Sequence, residues 1–223
     1  MTNTPPSRAV EDFLKAVYSL QQKTPDRVST NSLAEALDIA APTVTDMARR
    51  MEDAGLLDYR KYHGMVLTDE GMALALRVLR RHRLLELYLV QELGYELHEV
   101  HHEAENLEHA VSDRFIEAIA TKLGNPTLDP HGDPIPAADG TIIRRDLVSL
   151  NVLELNTPAL VSRFTADNDE MLQHILNRNF RLGVAVCVKH RDPFDGPLTV
   201  EVNGDENIIG YSVADHILVE VDE

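Results

Sequence analysis

His82 and Glu86 stand four residues apart, and within the next predicted helix His101, Glu105, Glu108 and His109 follow. At about 100° per residue, positions 101, 105, 108 and 109 fall within an arc of roughly 100°, one stripe of a helix. A single His/Glu pair at that spacing is usually a surface interaction. Two such sets on neighbouring segments offer imidazole nitrogens and carboxylate oxygens to one divalent cation, with His98, His102 and Glu103 as flanking candidates. Carboxylate and imidazole without thiolate suit Mn²⁺ or Fe²⁺, while Zn²⁺, Co²⁺ or Cd²⁺ would also occupy such donors in vitro.

The elements carrying these residues read as long helices. Thr68-Asp69-Glu70 supplies a cap and an acidic first turn for a helix running to about Leu93, and a second helix is predicted from about Glu96 to Leu123. Together they hold more apolar surface than one helix needs, which predicts a helical metal-binding and dimerisation domain over residues 69–123. Upstream, Val10, Phe13, Leu14, Val17 and Tyr18 recur at helical spacing from Arg8 to Gln22, with Asp12 beside the stripe. A turn at Thr24, Pro25 and Asp26 leads to Ser29 or Thr30 as N-cap and a short helix through Leu33, Ala34 and Leu37. Pro42 opens a third helix that points Val44, Met47, Ala48 and Met51 inward and Thr43, Thr45, Asp46, Arg49 and Arg50 outward, ending at Gly55. The segment LLDYRKYHGMVLT then alternates about a turn at Tyr62-His63-Gly64 as a hairpin.

Helix, helix, helix and basic hairpin predict a winged helix-turn-helix over residues 1–68. Thr43, Thr45 and Arg50 would approach the major groove, and Arg60 and Lys61 would meet phosphate. Asp46 is disfavoured against phosphate and would accept from a cytosine amino group or cap a neighbour. The formal charge of −16 argues against a polyanionic partner, but its distribution is uneven. Residues 1–64 hold 8 Lys and Arg against 9 Asp and Glu, whereas residues 65–141 hold 6 against 14. Acidic groups crowded in the middle segment repel until a cation neutralises them.

Residues 124–141, rich in Pro, Gly and Asp, read as a linker. Beyond it, strand-like runs at 147–155, 184–189, 198–202 and 208–213, with a short helix near 169–179, predict a small β-barrel over residues 142–223. The fold class is therefore mainly α with β. The single Cys187, in the apolar run GVAVCV, excludes a disulfide framework and a Cys-rich zinc site, and reads as a core thiol. No signal peptide or membrane-spanning stretch is apparent, which predicts a cytoplasmic protein.

The segments LAEALDIAAPTVTDMARRMEDAGLL, RRHRLLE and VHHEAENLEHAVSD resemble the diphtheria toxin repressor family of iron- and manganese-dependent regulators, over essentially the whole chain. The resemblance implies one metal site from His82, Glu86 and His101 and a second from Asp12, Glu105, Glu108 and His109. It places Thr43, Thr45 and Arg50 where the family contacts DNA, and implies that the C-terminal barrel is Src-homology-3-like. In some relatives that barrel sends an acidic and an amide ligand to the first site, from a region equivalent to Asn168, Asp169, Glu170 and Met171. Asp12 and Glu105 stand where iron-responsive members have methionine and cysteine, so the chain resembles the manganese-responsive branch. Two positions depart from the family: Lys15 replaces an acidic ligand of that branch, and Asp46 replaces a recognition-helix glutamine.

These readings predict a homodimeric, metal-dependent regulator that binds an operator in double-stranded DNA and represses metal-uptake genes, with Mn²⁺ or Fe²⁺ as effector. A metal-dependent hydrolase is the competing class, but the chain has no H-E-x-x-H, no Gly-rich phosphate loop and no G-x-S-x-G. A metal buffer would bind metal without changing its affinity for DNA.

Overall fold

The computed structural model describes residues 7–23, 26–166 and 168–221. These divide into two compact units, one of the described residues within 7–82, 108–111 and 136–141, the other of those within 83–107, 112–135 and 142–221.

In the first unit, α1 (Arg8–Lys23) buries Phe13, Leu14, Val17 and Tyr18 on one stripe. Positions 24 and 25 of the expected turn lie outside the described residues. Ser29 caps α2 (Thr30–Leu37) by accepting from the Ser32 amide at 3.0 Å, which satisfies one of the orphan donors of the first turn. α3 (Ala41–Asp53) has Pro42 in its first turn, where the missing N–H is not needed, and buries Val44, Ala48 and Met51. A hairpin of β1 (Leu57–Arg60) and β2 (Gly64–Leu67) follows, and Val28 forms a bridge to Met65 of β2. Gly64, at φ +89°, presses against the Val28 carbonyl so closely that any Cβ would overlap it. Arg27 braces the hairpin from the side, with Nη1 2.9 Å from Asp58 Oδ2. This is a winged helix-turn-helix.

α4 (Asp69–Leu93) starts behind Thr68, whose hydroxyl accepts from the Gly71 amide at 3.1 Å. The division between units falls within this helix, after His82. The single helix predicted from Glu96 to Leu123 is instead two, α5 (Val100–Leu107) and α6 (Asp113–Lys122). Ser112 starts the second of them: it is extended at ψ 156° and caps α6 by accepting from the Phe115 amide.

The C-terminal part of the second unit is an antiparallel sheet of order β3-β8-β4-β5-β6-β7. Its strands are β3 (Val148–Ser149), β4 (Pro158–Phe164), β5 (Ala185–Arg191), β6 (Leu198–Val202), β7 (Asp205–Ile209) and β8 (Ile217–Val221), with α7 (Asp169–Leu176) and α8 (Tyr211–Asp215) between them. Register shifts at Val161/Arg163 and Val188/His190 bend the ladder. Leu150, Phe164, Ile175, Phe180 and Val200 lie in its core, and Cys187 is buried on β5.

Two predicted strands are corrected. The run 147–155 contributes only a two-residue strand and then turns, because Leu150 and Leu153 face the core while Val152 and Leu155 face solvent. The run 208–213 is split, since Gly210 caps α8. Among the described residues no helix is long and apolar enough to cross a membrane.

Candidate metal centre

In the first unit, Asp12, Glu108 and His109 each offer a ligand atom, and these atoms lie within 4.8 Å of one another. Asp12 projects from α1, and Glu108 and His109 come from the turn that follows α5. His109 Nε2 is 2.8 Å from Asp12 Oδ1 and 3.1 Å from Glu108 Oε1. On its other side, His109 Nδ1 is 2.6 Å from Glu11 Oε2. With a cation on Nε2, the Glu11 carboxylate would keep the ring proton on Nδ1. Glu11 in turn lies 3.5 Å from Arg81.

Glu108 is fully buried. His82 Nδ1 lies 2.6 Å from its Oε2, and Lys15 Nζ lies 2.5 Å from its Oε1. Burial pushes the Glu108 carboxyl up, but the His82 hydrogen bond and the charges of His82 and Lys15 outweigh it and hold the group below its usual range.

The second unit has its own cluster. Glu86, Asp129 and His131 offer ligand atoms within 4.8 Å of one another. His131 Nε2 donates to the Leu97 carbonyl at 3.2 Å, so Nδ1 is the free nitrogen, 3.8 Å from Glu86 Oε2. His101 Nδ1 approaches Glu86 Oε1 at 3.2 Å. Asp129 is almost wholly buried, and its Oδ1 accepts from the amides of His131 and Asp133. Burial, then the neighbouring Asp133 and Glu86, push its carboxyl well above the usual carboxylate range, against the pull of Arg83. The loop bearing Asp129 and His131 is fastened to the sheet: Phe164 donates to the His131 carbonyl, Arg163 pairs with Asp133 at 2.5 Å, and Gly132 packs on the Ser162 carbonyl.

The residues singled out in the sequence are thus distributed as follows. Asp12, Glu108 and His109 come together. Glu105 is not of that group and sits beside His101, 3.6 Å away on α5. His82 Nδ1 lies 2.6 Å from Glu108 Oε2, and His101 Nδ1 lies 3.2 Å from Glu86 Oε1, one turn later on α4. Asn168 caps α7 by accepting from the Met171 amide, Glu170 is exposed, and Asp169 lies 4.0 Å from His102. Glu11, Asp129 and His131 went unnoticed. Asp129 and His131 lie in the Pro- and Gly-rich stretch that reads as linker, while Glu11 could have been found from its place beside Asp12 and its Glu-His partnership.

On α3, Thr43, Asp46, Arg49 and Arg50 are exposed, as are Arg60 and Lys61 on the wing. Thr45 is half-buried and its hydroxyl donates to the Ala41 carbonyl at 3.1 Å, so it is less outward than its helical position suggested. Lys61 Nζ lies 4.9 Å above the ring of Tyr62, which is itself 90% exposed.

Comparison with known proteins joins these parts. Residues 7–65 match the iron dependent repressor N-terminal DNA binding domain, residues 68–137 the iron dependent repressor metal binding and dimerisation domain, and residues 148–221 the FeoA domain. The iron-dependent repressor IdeR of Mycobacterium tuberculosis is 41% identical over 128 residues, 56% of this chain and 54% of that one, so the match spans about half of the relative's length. IdeR of Mycobacterium leprae is 36% identical over 160 residues, 68% of each chain. A solved manganese-dependent transcriptional repressor in complex with manganese superposes with a TM-score of 0.87 at 38% identity, covering 95% of this chain and 99% of the other. The chain belongs to the iron-dependent repressor family, the family of the diphtheria toxin repressor.

Proposed function

We propose that this protein is a cytoplasmic, metal-responsive transcriptional repressor that binds operator DNA as a homodimer when Mn²⁺ is plentiful, and that it controls metal-uptake genes. One observation carries this reading. Asp12, on the first helix of the DNA-binding module, shares a ligand group with Glu108 and His109. The donors are oxygen and imidazole with no thiolate, a set that fits Mn²⁺ or Fe²⁺. The manganese complex of a structural relative favours Mn²⁺.

A bound divalent cation supplies positive charge and directional coordination at this group. The chain's own residues do the rest. Glu11 fixes the His109 tautomer, and Asp12, Glu108 and His109 together tie α1 to the turn after α5. Holding α1 restrains α2, which packs on it, and through α2 the helix α3. Thr43, Arg49 and Arg50 are then presented to the major groove, with Arg60 and Lys61 against phosphate and Asp46 and Thr45 at the margins of the same face. Linkage requires the converse, that operator DNA tightens metal binding. In the second unit, Glu86, Asp129 and His131 are the residues for a further ion, with His101 beside Glu86.

The test is fluorescence anisotropy of a labelled duplex from a metal-transporter promoter, with chelator-treated protein at fixed salt, with and without Mn²⁺. Binding should require Mn²⁺, and Asp12→Ala should lose the requirement together with the tight binding. Equal affinity with and without metal would overturn the reading and favour a metal buffer.

A further inference from the structure

Lys15 lies three residues after Asp12 and four after Glu11, on the same face of α1. Its ammonium is 2.5 Å from Glu108 Oε1, and that oxygen is also 3.1 Å from His109 Nε2. The other Glu108 oxygen is held by His82. Lys15 is only 15% exposed and Glu108 not at all, so this is no solvent-screened surface pair. A charged ammonium has three donors and no lone pair, so it cannot itself coordinate a cation. It occupies the oxygen that a cation held by Asp12 and His109 would use, and it repels that cation.

We propose that Lys15 is a tethered competitor for the metal of the Asp12, Glu108 and His109 group. In the metal-free protein its ammonium neutralises Glu108. It must leave Glu108 Oε1 before that oxygen can coordinate an ion, so it weakens binding and raises the metal concentration at which the protein responds. The inference rests on the metal-responsive reading above and adds to it what sets the threshold.

Calorimetric titration of Mn²⁺ into chelator-treated full-length protein, without DNA, tests it. Lys15→Met, which keeps the stem and removes the charge, should bind Mn²⁺ roughly tenfold or more tightly at this group. Lys15→Arg should stay near wild type, and adding Asp12→Ala to Lys15→Met should abolish the gain. Thermal melting provides a second readout: metal-free Lys15→Met should melt below wild type, and the gap should close in saturating Mn²⁺. Unchanged or weaker binding by Lys15→Met, or a melting gap that Mn²⁺ leaves intact, would overturn the proposal and make Lys15 only a structural pin. If Asp12→Ala alone removes Mn²⁺ binding while Lys15→Met changes nothing, the competitor falls and the metal-responsive reading stands. If Asp12→Ala leaves Mn²⁺ binding untouched, both fall.

Discussion

The two carboxylate-imidazole clusters solve the problem of buried negative charge in opposite ways. Around Glu108 the chain brings its own partners, His82 and Lys15, and the carboxyl is held below its usual range. Around Asp129 it brings more acid, Asp133 and Glu86, against Arg83, and the carboxyl is pushed well above the usual range. The first cluster is electrostatically satisfied without metal, whereas the second is strained until a cation or a proton arrives. Similar donors can therefore differ in what an ion changes: competition with an internal charge in one, relief of crowding in the other.

The same neutralisation in each cluster should have opposite results. Glu108→Gln removes the buried carboxylate that Lys15 and His82 pair with, and breaking a buried pair this way costs about 3–5 kcal/mol. The metal-free protein should melt on the order of 10 °C lower by calorimetry. An unchanged melting temperature would erase the contrast. Glu11→Gln spares the Asp12, Glu108 and His109 ligand atoms but removes the carboxylate behind His109, and loss of such a supporting partner should weaken Mn²⁺ binding by about tenfold in a calorimetric titration. Asp129→Asn keeps an Oδ1 acceptor for the two loop amides and removes the crowded charge. It should stabilise the metal-free protein by about 1 kcal/mol, a rise of ~2–4 °C, and shrink the further rise given by Mn²⁺.

The smallest effect is in pH. Asp129 is raised in the fold, so its contribution to stability is full below its unfolded value and is lost as pH rises through the folded one. Metal-free protein should therefore gain stability as pH is lowered from neutrality toward the ordinary carboxylate range, and Asp129→Asn should lack that gain. Glu108 is lowered, so its contribution is present above its unfolded value and lost only as pH falls through the lower folded one. Melting curves of both variants across acidic pH separate the two windows.

The winged module was legible because local rules and tertiary packing agree there: Ser29 caps, Pro42 opens α3, and Gly64 allows the close approach to Val28. The sheet was less so. β4, PALVSRF, begins with proline and was passed over for the more apolar run just before it, and edge strand β7 carries Asp, Glu and Asn that strand propensity disfavours. The donors on the predicted helices were visible by spacing, but α5 ends at Leu107, so Glu108 and His109 leave the helical stripe that carries Glu105. Asp129 and His131 stayed hidden because Pro-, Gly- and Asp-rich composition describes how a chain turns and not whether the turn is anchored.

That anchoring bears on how the protein would tolerate being shortened. A chain cut after Thr141 would keep every side chain of both clusters, yet would lose Phe164, Arg163 and Arg145, which grip the His131 carbonyl, Asp133 and the Gly132 carbonyl. The C-terminal sheet thus serves the second cluster as a splint: it furnishes neither Asp129 nor His131, and without it the loop that carries both would have to order itself on ion binding and forfeit affinity to entropy.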